Sequence, residues 1–382
     1  MQKKRQHYIA QSYLKNFSSD RKYLYVFPFQ KKKSFISDIK YLCKEDFFYG
    51  SDVIAQNFED NLSIIENEHK KLIDKILDNY SLNCLNEDEY VGLLVLILFQ
   101  ASRTRSSKRR SRILAKIIEK KKKTLNITDS DVFQDFPRKI DPTEDFRLRQ
   151  AFGVTMHAAI NSVEAILDLT PALLINISDR NFICSDSPVV FYNDVQFDTD
   201  FKSDGLINPG LQIFYPISNE IVLLLFDHFA YKLDFDFDSI CYLDKKNDID
   251  AINKLQFINS LDFILFSEIK QNKNIEKIFQ EVEKDIRKDV RRTFGSYFKG
   301  REFLEKIGMW HQFSLLSKYR TYKLRLSFMT LNTKYAKDQI DQYYEERKKD
   351  PNAIPTRNKS LANKAIDRLK KAHKKIEKIY KE

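Results

Sequence analysis

The feature that most constrains this chain is a change of hydrophobic period along its length. From Phe58 to Tyr80, apolar residues fall at Leu62, Ile65, Leu72, Ile73, Ile76, Leu77 and Tyr80, with His69 in the same stripe. That is the spacing of one face of a helix. Tyr90 to Phe99 has almost no polar side, which predicts a central helix, and Asn86 is placed to cap it. Phe146 to Leu169 reads as another mostly buried helix, closed by Pro171. The pattern then breaks into short apolar or alternating runs: Leu173–Ile177, Phe182–Cys184, Val189–Tyr192, Leu211–Tyr215, Ile221–Phe226 and Tyr231–Phe237. Turn residues separate them, including Asp186-Ser187-Pro188 and Asn208-Pro209-Gly210, so this stretch predicts an antiparallel sheet or meander. Helical spacing returns after Asp244, through Ile249–Ile258 and Ile275–Arg292. Helices, then strands, then helices make the class α+β: a helical N-terminal half, a central antiparallel sheet and a helical, basic C-terminal region.

Composition removes several classes of function. Among 382 residues there are only 8 Gly and 9 Pro, and no GxGxxG or GxxxxGK[ST] occurs, which excludes the common dinucleotide and P-loop sites. The four cysteines, Cys43, Cys84, Cys184 and Cys241, form no CxxC pair and fit a reducing compartment. The basic start has no apolar stretch after it, and the longest apolar run, Val91–Phe99, is about half a membrane span. The expectation is a cytoplasmic protein with no membrane partner. Three regions are expected: an α+β core over 1–270, a basic and aromatic helical region over 271–350, and a hinge with a basic amphipathic helix over 351–382. In the last, Pro351 and Pro355 precede Ala362, Ile366, Leu369, His373, Ile376 and Tyr380, whose alternating spacing of three and four is the seam of a helix that docks on its own body or on a second chain.

Charge is segregated. Ala101–Leu125 holds eleven Lys or Arg against one Glu, Ile286–Leu326 eleven against three acids, and Thr356–Glu382 ten against three. With a formal charge of +11 overall, the rest of the chain is strongly acidic. A field with a direction steers a polyanion to one side of a molecule, so a nucleic-acid partner is expected, RNA or DNA. Lys108, Arg109, Arg110, Arg112, Lys116, Lys120, Lys121, Lys122 and Lys123 are the candidate phosphate-binding face. In the second basic run Phe294, Tyr297, Phe298, Phe303, Trp310, Phe313, Tyr319 and Tyr322 are interleaved with the cations. Such aromatics stack on bases or form the core of a helical tail, and the core role is the favoured one.

The opening His7-Tyr8-Ile9-Ala10-Gln11-Ser12-Tyr13-Leu14-Lys15-Asn16-Phe17 resembles the His-Tyr-x-Pro-Gln-x-Tyr-Leu-x-x-Phe start of the bacterial domain-of-unknown-function family 4238. Phe99-Gln100 with Arg103-Thr104, then Phe182–Val189, then Tyr215-Pro216-Ile217-Ser218 are similar in type and order, and the likeness spans about residues 7 to 270. Ala10 stands where the family usually has Pro. The resemblance implies no activity by itself; it implies stand-alone accessory proteins with links to phage defence or toxin systems.

No complete motif of a known catalytic class is present. The polar residues in the family-like pieces are His7, Gln11, Gln100, Arg103 and Asp186, and Glu59 and Glu66 join them because seven residues apart they share one helix face. A His, carboxylates and an Arg beside a basic surface suit general acid–base or metal-assisted attack on a phosphodiester, with a divalent metal as the conceivable cofactor. The bland alternative is that these groups satisfy backbone atoms and pair with one another. Glu66-x-x-His69 has di-iron spacing but occurs once, and Asp234-Phe235-Asp236-Phe237-Asp238 reads as a solvated strand face. The expected function is nucleic-acid hydrolysis by a defence or toxin effector. The alternative is a non-catalytic subunit that binds nucleic acid or protein.

Overall fold

The computed structural model describes residues 4–50, 53–112, 144–195, 205–234, 237–285, 322–349 and 357. The N-terminal segment forms β1 (Arg5–His7), the single turn α1 (Gln11–Leu14), β2 (Tyr23–Pro28), β3 (Phe35–Asp38) and β4 (Lys44–Asp46). Helices α2 (Val53–Asn79) and α3 (Glu87–Ser102) follow, then helical residues 105–112 (α4) and α5 (Glu144–Asn161). Next come β5 (Thr170–Asn176), β6 (Cys184–Ser185), β7 (Val190–Asn193), β8 (Leu211–Pro216), β9 (Ile221–Phe226), β10 (Tyr231–Leu233) and β11 (Ile240–Leu243). The described chain closes with α6 (Lys246–Asn259), β12 (Phe263–Phe266), α7 (Asn272–Val282), β13 (Met329–Leu331) and α8 (Thr333–Lys349). The class is α+β.

The start of α3 is fixed locally. Asn86 Oδ1 accepts from the Glu89 N–H and Glu89 Oε2 accepts from the Asn86 N–H, both at 2.9 Å, a complete capping box. Leu93, Leu94, Ile97 and Leu98 are fully buried, as a helix without a polar side requires. The helix ends at Ser102, and Thr104 Oγ1 accepts from the Ser107 N–H at 3.1 Å, which caps α4. This break turns Arg103 inwards.

The predicted meander is instead a mixed five-stranded sheet, ordered β11-β5-β9-β8-β7, in which β11 runs parallel to β5 and the other pairs are antiparallel. Leu173, Ile175, Ile213, Leu223 and Leu225 point to the core shared with α2, α3 and α5, while Ala172, Leu174, Phe214, Val222 and Leu224 face the core shared with α6. Burial on both faces is why β9 reads Ile-Val-Leu-Leu-Leu-Phe with no polar position. Pro171 does not close a helix. It lies inside β5, two residues before the parallel pairing with β11 begins at Leu173. The helix ends ten residues earlier, at Asn161.

β6 leaves this sheet for a second one, ordered β3-β2-β12-β6. There β2 lies between β3 and β12, with Phe27 against Phe257 of α6 and Phe279 of α7. The strand expected over Tyr231–Phe237 stops at Leu233. Asp238 has φ of 76°, a left-handed turn conformation, and its carboxylate accepts from Asn83 Nδ2 at 2.7 Å. It is a turn residue rather than part of a strand face.

Described residues beyond 270 pack on these cores. Leu324 and Phe328 join the sheet face covered by α6, and β13 pairs with β10. Arg357 is buried, with Nε and Nη2 each 2.9 Å from the Asp168 carboxylate, Nη1 2.9 Å from the Asn208 carbonyl, and a further bond to the Ala165 carbonyl. Its N–H donates to the Ile207 carbonyl at 2.8 Å. The chain is therefore tied to the body at a residue of the stretch read as a hinge. The helix expected over 361–380 lies outside the described residues.

Breaking a buried pair leaves an uncompensated charge, here on Asp168, which is itself almost fully buried. Arg357→Ala is expected to lower stability by about 3–5 kcal/mol, measured by urea unfolding. Asp168→Ala with Arg357→Ala should recover part of that loss.

Candidate active site

One face of α2 carries Glu59, Leu62, Glu66, His69, Ile73 and Ile76, in steps of three and four. Leu62, Ile73 and Ile76 are core residues, so the polar members of the row are carried inwards with them. His69 is buried, and its Nε2 lies 3.2 Å from the Tyr215 hydroxyl. Its ring stacks near those of Tyr13 and Tyr215, with centroids 6.4 and 6.0 Å away. Burial, helped by the Arg103 charge, pushes its pKa down to about 3, so it stays neutral.

Arg103 is the centre of the cluster. Its Nη2 is 2.8 Å from Glu66 Oε1, its Nε donates to Gln100 Oε1 at 3.2 Å, and its guanidinium carbon lies 5.3 Å from the centre of the Phe99 ring. Gln100 in turn donates from Nε2 to the Tyr8 carbonyl at 3.2 Å. The Arg103 side chain is 2 % exposed and that of Glu66 27 %. The guanidinium is thus sealed beneath the carboxylate, which reaches the surface.

His7 sits beside that carboxylate. Its ring is half-buried, and Gln11 Nε2 is 3.4 Å from its Nε2. Desolvation lowers the imidazole pKa. The nearby Glu66 charge opposes the shift, while Lys44 and Arg103 reinforce it. The Gln11 amide nitrogen can only donate, so His7 Nε2 accepts across this long contact and, in the neutral ring, Nδ1 carries the proton. The Tyr49 hydroxyl donates to the His7 carbonyl at 3.0 Å, and Tyr49 feels the charges of Arg103, Glu59 and Glu66.

The structure therefore gathers His7, Gln11, Glu59, Glu66, Gln100 and Arg103, but divides their roles. Gln100 and Arg103 are sealed and act on position; His7, Gln11 and Glu66 reach the surface. Asp186 is bound elsewhere. It is buried, and its carboxylate accepts from Ser260 Oγ at 2.8 Å and from the backbone N–H groups of Leu261 and Asp262 at 2.8 and 2.7 Å. It closes the turn between α6 and β12, on the side of Tyr8 where Arg105 lies. Burial, against those hydrogen bonds, pushes its pKa up to about 6. Sequence reasoning assigned no role to Tyr13, Tyr49 or Tyr215. Tyr13 and Tyr215 stand inside the family-like segments, which was the available signal; Tyr49 had none.

The expected phosphate-binding face also needs correction. Lys108 is buried: its Nζ donates to the Phe48 carbonyl at 2.5 Å, lies 3.3 Å from Glu45 Oε1 and sits 4.3 Å from the Phe48 ring centre. One turn of helix separates it from Arg105, which binds Asp262 at 2.5 Å, so the inner side of α4 is a structural ion-pair face. Arg109 and Arg112 are exposed, and Arg110 donates to Ser106 Oγ at 3.0 Å. Lys116, Lys120, Lys121, Lys122 and Lys123 lie outside the described residues. Among the interleaved aromatics, Tyr322 is described, and it packs against the core. Among the described residues no group of three or more His, Cys, Asp or Glu is placed to hold a metal ion, and no helix is long and apolar enough to cross a membrane.

A family model described as "Protein of unknown function (DUF4238)" matches residues 5–270, a span that begins at β1 and closes just past β12. No curated protein and no solved structure matches.

Two substitutions separate structure from chemistry here. Asp186→Ala orphans three donors and is expected to cost about 2–4 kcal/mol. Lys108→Glu sets a carboxylate against Glu45 and the Phe48 carbonyl and should cost a similar amount, about 2–4 kcal/mol. Thermal and urea unfolding of both variants checks this; an unchanged midpoint for Lys108→Glu would return that residue to the surface.

Proposed function

The chain belongs to the DUF4238 family of proteins of unknown function, and from that premise we propose that it cleaves nucleic acid as a cytoplasmic bacterial effector, with His7 as general base and RNA as substrate. The observation that carries this reading is the half-exposed imidazole of His7 beside the surface-reaching Glu66 carboxylate, which a sealed Arg103 holds in place. A lowered imidazole pKa keeps the base neutral at physiological pH. Lys44, opposite His7 in the β1–β4 pair, is the nearby cation whose charge acts on the ring and would attract a phosphate.

In this mechanism His7 Nε2 takes the proton of a ribose 2′-hydroxyl. The oxygen attacks the adjacent phosphorus, the bond to the 5′-oxygen breaks, and that oxygen takes a proton from water. A single imidazole suits an intramolecular nucleophile, because proximity supplies what a separately bound water would otherwise need. The nearby Glu66 charge stabilises the imidazolium formed in the step. Arg103, Gln100 and Tyr49 position these two residues. The family likeness favours a defence or toxin setting, in which the activity is silent until triggered.

Labelled RNA and DNA, each with and without divalent ions, provide the test. RNA is expected to be cut, and His7→Ala to slow cutting by about 10²–10⁴-fold with an unchanged melting temperature. Activity should be lost as pH falls through the lowered imidazole pKa, so the acid limb lies below the ordinary value of about 6.5. Salt-dependent binding with the substrate intact under every condition would instead make the protein a binding subunit.

A further inference from the structure

We propose that the exposed end of the β2–β3 ribbon, with the turn that follows it, is a stacking seat for single-stranded nucleic acid. The inference rests on the preceding reading that the substrate is a nucleic acid, and it names the form of strand and the residues that hold it. Tyr41 is 57 % exposed, Ile36 55 % and Tyr23 36 %, and Tyr23 and Tyr41 each precede a buried core residue, Leu24 and Leu42. In the antiparallel register Tyr23 lies opposite Asp38 and Tyr25 opposite Ile36, so Tyr23 and Ile36 are on the same face of the ribbon. Lys40 links this face to the turn, because its Nζ is 3.1 Å from Asp38 Oδ2 and 4.9 Å from the Tyr41 ring centre.

Cations accompany both rings. Lys22 Nζ lies 4.8 Å from the Tyr23 ring centre, and Lys44 Nζ lies 4.9 Å from that of Tyr41. Burial lowers the Lys44 pKa, the Arg5 and Lys40 charges reinforce the shift, and Asp38 and Asp46 oppose it. Of the acids nearby, Asp38 is engaged by Lys40 through both its backbone N–H and its Nζ, and Asp20 accepts from the Lys22 and Tyr23 backbone N–H groups. Exposed rings flanked by ammonium groups match what a flexible strand presents, a base face and a phosphate at every step. A duplex hides its base faces, so the rings would go unused. The seat adjoins the proposed base: Lys44 stands opposite His7 in the β1–β4 pair.

Fluorescence anisotropy of the full chain with a labelled 20-nucleotide RNA, the DNA of the same sequence and the matching duplex tests this. Single strands are expected to bind more tightly than duplex, and Tyr41→Ala to weaken single-strand binding by about tenfold without changing the melting temperature. Lys44→Glu should flatten the dependence of log K on log salt by about 0.7, one phosphate contact. Equal affinity for duplex, an unaltered affinity of Tyr41→Ala, no binding at all, or equal competition by poly-glutamate would overturn the proposal. The two readings fail separately. Binding with these signatures but no cleavage removes the catalytic reading alone. Cleavage whose KM ignores Tyr41 and Lys44 removes this one alone.

Discussion

A guanidinium sealed inside a protein is the constraint around which the rest is arranged. Removing an ion from water costs several kcal/mol even after relaxation, and the cost is offset only when partners and hydrogen bonds are in place. Arg103 has Glu66 from α2, Gln100 from its own helix and the ring of Phe99 beneath it. Through Gln100 it reaches the Tyr8 carbonyl, and so the N-terminal segment. Three separate pieces of chain are held to one charge. A change in any of them exposes the others to an unpaired buried ion.

The same segment is held from its other end by strand pairing. β2 lies between β3 and β12, so residues near 25 and 265 are neighbours, and the matched span 5–270 closes on that pair. Between the two anchors β1, α1 and β4 carry His7, Gln11 and Lys44. A histidine near the start of a chain would ordinarily be mobile. Here its carbonyl accepts from Tyr49, and the residue after it is tied by an N–H bond to the Cys43 carbonyl at 2.9 Å.

Tyr8 divides two environments of opposite character. On one side Arg103 with Glu66 surrounds a neutral His69 and a neutral-leaning His7. On the other, Asp186 is buried with three donors and its carboxyl is pushed up to about 6, with Arg105 and Asp262 close by. Desolvation dominates both shifts, and it acts in opposite directions on a base and an acid. The two clusters are separate in their bonding: Glu66 pairs with Arg103, and Asp186 with the 260–262 turn.

By itself the sequence determined the elements whose causes are local. Asn86 and Glu89 lie three residues apart and cap α3 without help from the rest of the chain, and the stripe on α2 already placed Glu59, Glu66 and His69 in one row. The apolar runs that became β5, β8 and β9 were equally legible, because strand periodicity is written in adjacent residues. Only the tertiary structure decided which sheet each strand joined, that β11 would run parallel to β5, and that β6 would leave for β12. It alone sent Lys108 inwards to Phe48, gave Asp186 to the 260–262 turn, and tied Arg357 to Asp168. The reason is one of range: a cap or a stripe is set by neighbours a turn away, whereas burial and pairing depend on partners scores of residues distant. A lysine in a basic run looks the same in the sequence whether it meets water or a buried carbonyl.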